Sequence, residues 1–243
     1  MNSTLISRMN ELKLHGMRDA WNNILETRTR YTNDEIVNML VEAEWANRQH
    51  RIQTRRIKQA KFRYQALMAE IDFSATRNMD KSQLTRLSDC SYIDRAENIL
   101  ITGPTGAGKS YIASAFGHHA CIKQYRVFYA NMNRLLADLK AGKADNSYPR
   151  MIARIAKQQL LIIDDFGLQK LDVEGRLALL EIMEDRHGKQ STIVTSQLPV
   201  KNWCEMIGEN TISDSILDRL VHGAHRIEIK GESMRKKKAQ GKK

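Results

Sequence analysis

Several things are scarce in this chain, and each scarcity excludes a class. Only three cysteines occur among 243 residues. Cys90, Cys121 and Cys204 are odd in number, widely spaced and without a C-x-x-C pair, which argues against a disulfide framework or a cysteine zinc site. No apolar run approaches the roughly twenty residues that span a bilayer. Met1 to Arg8 lack the apolar stretch of a secretory signal. His222 and His225 stand three apart with no second ligand pair, so a surface or capping role is expected rather than a metal. No helix-turn-helix or zinc-finger reader is legible either. The expectation is a cytoplasmic protein with reduced thiols and no membrane partner.

What is present is a core with basic ends. Apolar residues make up 42% of the chain, enough for one globular core plus an appendage. The formal charge of +11 is unevenly placed: residues 1–86 carry +5, residues 87–225 are neutral, and residues 226–243 carry +6. A neutral middle with basic ends suits attachment to a polyanion.

The middle holds the string Gly103-Pro104-Thr105-Gly106-Ala107-Gly108-Lys109-Ser110, which fits G-x-x-x-x-G-K-[ST] at every fixed position. The glycines let the backbone curl so that successive N–H groups point at phosphate oxygens. Lys109 can reach the outer phosphates, and the Ser110 hydroxyl can ligate Mg²⁺. An apolar strand, 98–102, precedes the loop, and a stretch beginning Ser110-Tyr111 with nothing to stop a helix follows. That order aims a helix N-terminus at the phosphates of a nucleotide such as ATP.

About fifty residues on, Leu160-Leu161-Ile162-Ile163 reads as a strand buried on both faces, ending in Asp164-Asp165. Asp164 would hold Mg²⁺, and Asp165 would polarise the attacking water as general base. A third strand, 191–195, ends in Ser196-Gln197; Gln197 reads equally as a strand-end turn or as a polar group beside the γ-phosphate. Arg219 is a candidate arginine finger supplied to a neighbouring subunit. Local sequence alone favours a helix-surface arginine paired with an acid about one turn away.

Together these stretches resemble the AAA+ ATPases. Within them, Thr-Ser-Gln-Leu-Pro-Val-Lys-Asn-Trp from 195, Ile-Leu-Asp-Arg-Leu-Val-His from 216 and Gly-Glu-Ser-Met-Arg-Lys from 231 make the chain similar to IstB, the ATPase helper of insertion-sequence transposases. It also resembles the DnaC/DnaI helicase loaders. The resemblance implies an ATPase of bacterial cytoplasm, associated with the nucleoid, that self-associates as a ring or spiral and delivers duplex target DNA to an IstA-like transposase. By it, Lys109, Ser110 and Asp164 hold phosphate and Mg²⁺, Asp165 is the catalytic acid, Gln197 the sensor, Arg219 the finger in trans, and Arg235 a second sensor. Two positions depart from the pattern. Residue 165 is Asp where many AAA+ proteins have Glu, and residue 197 is Gln rather than Asn. A helicase loader, and less so a small-molecule phosphotransferase, are the alternative readings.

The expected organisation is α/β: a helical basic domain at 1–76, an AAA+ domain with a five-stranded parallel sheet at 77–230, little or no helical lid, and a basic tail at 231–243 that is expected to be disordered. Five strands are read, near 98–102, 126–130, 160–164, 191–195 and 226–230. A helix from Asp172 to His187 should turn Leu177, Leu180 and Met183 inward. Thr32 and Glu35 fit a capping box, opening a helix expected to run to about Glu70. Its second half carries Arg48, Arg51, Arg55, Arg56, Lys58, Lys61 and Arg63 with no acid between Glu44 and Glu70. Arg48, Arg51 and Arg55 share a face; such a row is usually a solvated surface, but the absence of compensating acids points to contact with a duplex backbone, and all seven are read as DNA-binding. Upstream, Leu5, Met9, Leu12, Trp21, Ile24 and Leu25 read as short amphipathic helices broken near His15-Gly16.

Overall fold

A computed structural model describes residues 2–27, 29–73 and 79–231. Arg235 and the tail beyond Gly231 lie outside the described residues, as do residues 74–78 with the expected domain boundary at 76 and 77. The chain divides into two compact units, residues 1–55 and 56–243.

The first unit contains α1 (Asn2–Glu11), α2 (His15–Thr27) and most of α3 (Asn33–Ala60). The capping box forms: the Thr32 N–H donates to Glu35 Oε2 at 2.7 Å, and the Glu35 N–H donates to Thr32 Oγ1 at 3.3 Å. Helices α2 and α3 meet at Gly16, where a Cβ would stand 2.3 Å from the Ala43 carbonyl oxygen. That close approach lets the buried Glu44 serve the orphan donors of α2. Its Oε2 accepts from the N–H groups of Gly16 at 2.8 Å and Met17 at 3.3 Å, and its Oε1 accepts from Arg48 Nε at 2.7 Å. Met9 and Ile24 are buried, but Leu5, Leu12 and Leu25 are exposed, so the apolar stripe is narrower than the sequence pattern suggests.

Burial pushes the Glu44 carboxyl upward, but Arg48 and the Met17 and Gly16 N–H groups outweigh it and hold the pKa below its ordinary 4.5. A carboxyl with a lower pKa folded than unfolded stabilises the fold above its unfolded value. That contribution is lost as pH falls through the folded value. Glu44→Gln should therefore reduce the fall in helical melting temperature between about pH 5.5 and about pH 3.5, read by circular dichroism, relative to the parent. An unchanged fall would deny Glu44 this role.

The second unit is built on a five-stranded sheet of order β2-β3-β4-β1-β5. Its strands are β1 (Ile99–Thr102), β2 (Val127–Asn131), β3 (Leu160–Phe166), β4 (Ser191–Ser196) and β5 (His225–Glu228). Every neighbouring pair is parallel, so both faces must be covered. Alternate residues supply two apolar layers. Ile99, Ile101, Leu160, Ile162, Ile193 and Ile227 join one, with α6 (Lys109–Ile122). Leu100, Leu161, Ile163 and Val194 join the other, with α7 (Met132–Ala144), α8 (Tyr148–Ala156) and α9 (Val173–Arg186). Leu160 to Ile163 are fully buried, each side chain contributing about 2 kcal/mol of transfer free energy. Further helices are α4 (Lys81–Leu87), α5 (Ser91–Asp94), α10 (Trp203–Ile207) and α11 (Asn210–Val221).

Two expectations are corrected. Helix α3 stops at Ala60 rather than near Glu70, because Lys61 takes a left-handed φ of 57° that closes the helix. The turn carries Phe62 onto α6 at Gly117, where a Cβ would stand only 2.5 Å from the Phe62 ring. Residues 62–73 then continue into the second unit, with Ala66 and Ile71 buried in its core and Phe62, Tyr64 and Met68 packed against it. Leu67, in the same stretch, is exposed. In α9 the inner face is Ala178, Leu179, Ile182, Met183 and Arg186, while Leu177 is exposed. Asp172 caps that helix by accepting from the Gly175 N–H at 2.8 Å, which sets the helical phase.

Candidate nucleotide-binding site

The glycine loop joins β1 to α6, at the carboxyl edge of the sheet where ligands bind in open α/β folds. Gly103, Gly106 and Gly108 have φ values of 150°, 80° and 93°, a backbone that side chains other than glycine rarely adopt. Lys109 opens α6 and is nearly buried, its Nζ donating to the Pro104 carbonyl at 2.9 Å across the loop. Its charge is thus held inside the curl meant for phosphates. The loop, Ser110 and Tyr111 border a cleft of about 700 Å³ that also reaches Arg63, Asp165 and Gln197.

Three strand ends supply the polar wall. The register sets Asn131 of β2 beside Asp164 of β3. The pairing of β3 with β4 shifts between Ile163 and Phe166, so the two acids fall within an irregularity. Asp164 is fully buried and well supplied with donors. The Thr195 hydroxyl donates to its Oδ1 at 2.5 Å, and the Tyr129 hydroxyl donates to its Oδ2 at 2.5 Å. Burial, then Asp164, pushes the Tyr129 pKa upward, so the phenol keeps its proton to donate.

Asp165 has a left-handed φ of 61°. Its backbone N–H donates to Thr195 Oγ1 at 3.1 Å, and its Oδ2 accepts from Asn131 Nδ2 at 3.1 Å. Asp tolerates a left-handed backbone better than Glu, whose longer side chain gains no local hydrogen bond there. This gives a physical reason for the shorter acid. Gln197, just beyond β4, accepts from the Thr105 hydroxyl at 2.5 Å, so this side chain does face the phosphate loop.

Nothing in the sequence pointed to Arg63 here. Placed by its charge run in a DNA-facing row, it instead sits at the carboxylates. Its Nη1 lies 2.9 Å from Asp165 Oδ2 and 3.3 Å from Asp164 Oδ2. Tyr129, Asn131 and Thr195 were also unread, although polar residues closing an apolar strand could have drawn notice, as Asp164 did. Tyr111 donates to Glu70 Oε2 at 2.5 Å, and its ring lies 6.2 Å from that of Tyr64.

Arg219 on α11 lies elsewhere. Its carbonyl accepts from Asn98 Nδ2 at 2.9 Å, at the start of β1, whereas the phosphate loop leaves the strand's other end. Its guanidinium meets Glu184 at 3.2 Å and the Ser215 carbonyl at 2.7 Å, with 27% of the side chain exposed. It is therefore held away from its own subunit's loop. Of the other basic candidates, Arg48, Arg51 and Arg55 are exposed in the first unit, and Lys58 and Lys61 in the second. Arg56 is half-buried and borders a cleft with Arg126 and Arg154.

The donor set fits Mg²⁺. Among the described residues no three His, Cys, Asp or Glu side chains gather to cage a metal. One buried carboxylate and the Ser110 hydroxyl beside a phosphate loop are the sparse oxygen set with which Mg²⁺ completes its shell from nucleotide phosphates.

Residues 7–241 match the family described as IstB-like ATP binding protein. An insertion sequence ATP-binding protein of Sinorhizobium fredii is 41% identical over 233 residues, covering 95% of each chain. The counterpart in IS21 of Pseudomonas aeruginosa is 31% identical over 84% of this chain and 77% of its own. Among solved structures, DnaI matches with a TM-score of 0.58 at 18% identity, over 70% of this chain and 90% of that one. The DnaC helicase loader matches with a TM-score of 0.51 at 18% identity, over 62% and 92%. These two likenesses carry the fold alone.

Proposed function

The chain belongs to the IstB-like ATP-binding protein family, and from that premise we propose that it is an ATPase that assembles with ATP on duplex DNA. In this reading it delivers that DNA to the transposase of its insertion sequence. The observation that carries the reading is one cleft bordered by the phosphate loop, Asp165 and Gln197, with the buried Asp164 reached from it by Arg63.

Loop N–H groups and Lys109 bind and orient the phosphates. Mg²⁺, held by Ser110 and Asp164, would neutralise charge on the outer phosphate oxygens. Asp165 accepts the proton of the attacking water, and Gln197 orients that water against the γ-phosphate. Arg219 serves the site of the next subunit, so nucleotide closes the contact between subunits and hydrolysis loosens it. The exposed arginines and lysines of α3 follow the phosphate backbone, so binding is salt-dependent with little base preference.

The helicase-loader reading shares the engine. Identity of 41% over nearly the whole chain with an insertion-sequence protein, against 18% with DnaI, favours the transposition reading. The test is ATP turnover with and without duplex DNA. The expected result is DNA-stimulated turnover that Lys109→Ala abolishes. Turnover indifferent to duplex DNA would overturn the DNA part, and activity surviving Lys109→Ala would overturn the site.

A further inference from the structure

We infer that Arg63 is a resident cation of the empty site. It competes with the metal for Asp164 and Asp165 and passes to the nucleotide phosphates when metal and nucleotide arrive together. This rests on the ATP reading of the cleft and deepens it.

The geometry makes the two cations exclusive. Arg63 Nη1 contacts Oδ2 of both acids. Asp164 Oδ2 also accepts from Tyr129, and its Oδ1 is taken by Thr195. Asp164 is fully buried, and Arg63, which borders the cleft, is the cation that reaches its Oδ2. A divalent ion there would face a guanidinium at contact distance, and like charges so close in a half-buried site repel strongly. An arginine side chain stays protonated at any pH a protein meets, so the group cannot yield by losing its proton. It must move.

The surroundings allow that movement. Phe62 is locked against Gly117 and lies edge-on to Tyr129, ring centroids 6.2 Å apart, so the backbone before Arg63 is anchored. The Arg63 side chain is 41% exposed and borders the same cleft as Lys109 and Ser110. A guanidinium released from the acids has phosphate oxygens as its nearest new partners, and its planar donors suit them. The consequence is ordered loading. Free divalent metal is kept out of the empty site, and enters with phosphates that accept the displaced arginine.

The test is Mn²⁺ binding to nucleotide-free protein by electron paramagnetic resonance, with Mg²⁺-dependent affinity for a fluorescent, non-hydrolysable ATP analogue. Arg63→Ala should raise Mn²⁺ affinity at least tenfold, and Asp164→Asn added to it should remove the gain. The same Arg63→Ala should weaken the ATP analogue about tenfold, with Arg63→Lys in between. Mn²⁺ affinity unchanged in Arg63→Ala and in Arg63→Gln, each with parental melting temperature, would overturn the competition. A Mn²⁺ gain with analogue affinity unchanged or tighter would overturn the hand-over to phosphate. If the parent binds no analogue, the nucleotide reading fails instead, and the Mn²⁺ result still decides the competition.

Discussion

Arg219→Ala is expected to lower DNA-stimulated ATP hydrolysis about 10³-fold, as the loss of an arginine finger does. Nucleotide affinity of the isolated subunit should be nearly unchanged. The separation follows from placement: Arg219 neighbours Asn98 at the start of β1, and the phosphate loop leaves the end of that strand. Folding should also survive, since the ion pair with Glu184 is half-exposed and such pairs contribute about 1 kcal/mol or less. Mixing sharpens the test. An Arg219→Ala subunit keeps its phosphate loop, and a Lys109→Ala subunit keeps its finger. In a random equal mixture about a quarter of the heterologous contacts join the two intact parts. Activity should reappear on mixing two nearly inactive proteins, read as phosphate release. No recovery, with assembly intact, would mean that Arg219 does not act across subunits.

The second large effect is at Asp165. Asp165→Asn should reduce the turnover number about 10²- to 10⁴-fold through loss of the general base. Binding of ATP should be kept, and assemblies on DNA should last longer. The fold should tolerate the change because Asn is at ease with the left-handed backbone of this position. It can also accept from Asn131, as Asp165 does. Asp165→Glu is the informative partner. If reach alone limited the rate, Glu would speed hydrolysis. If the backbone sets the choice, Glu should lower both melting temperature and rate. Turnover unchanged in Asp165→Asn would remove this residue from the chemistry.

Why some of this was legible in the sequence and some not comes down to locality. The phosphate loop is eight consecutive residues whose spacing is itself the chemistry, so Gly103 to Ser110 could be read directly. The sheet followed from apolar runs such as Leu160 to Ile163, which only a doubly covered strand buries. Asp164 and Asp165 stood out because they end such a run. Arg63 did not, because its partners lie 101 and 102 residues away and its neighbours are other basic residues. A charge run shows where charge is, not which member folds back, and the turn at Lys61 that directs Arg63 carries no Gly or Pro. Arg186 was invisible for a similar reason. It is buried and donates to the carbonyls of Ile155, Gln158 and Ser191, main-chain acceptors that no side-chain pattern announces. Leu177 was misread because an apolar residue at helical spacing reveals a stripe only once the cap at Asp172 fixes its phase.

ATP and duplex DNA together are expected to assemble this chain. Sedimentation of the purified protein with duplex DNA at moderate salt, with and without ATP and Mg²⁺, tests it most directly. The expected result is a large protein–DNA complex that forms only when nucleotide, metal and duplex are all present. A protein that remains monomeric with all three would contradict it and direct attention to single strands and a helicase partner.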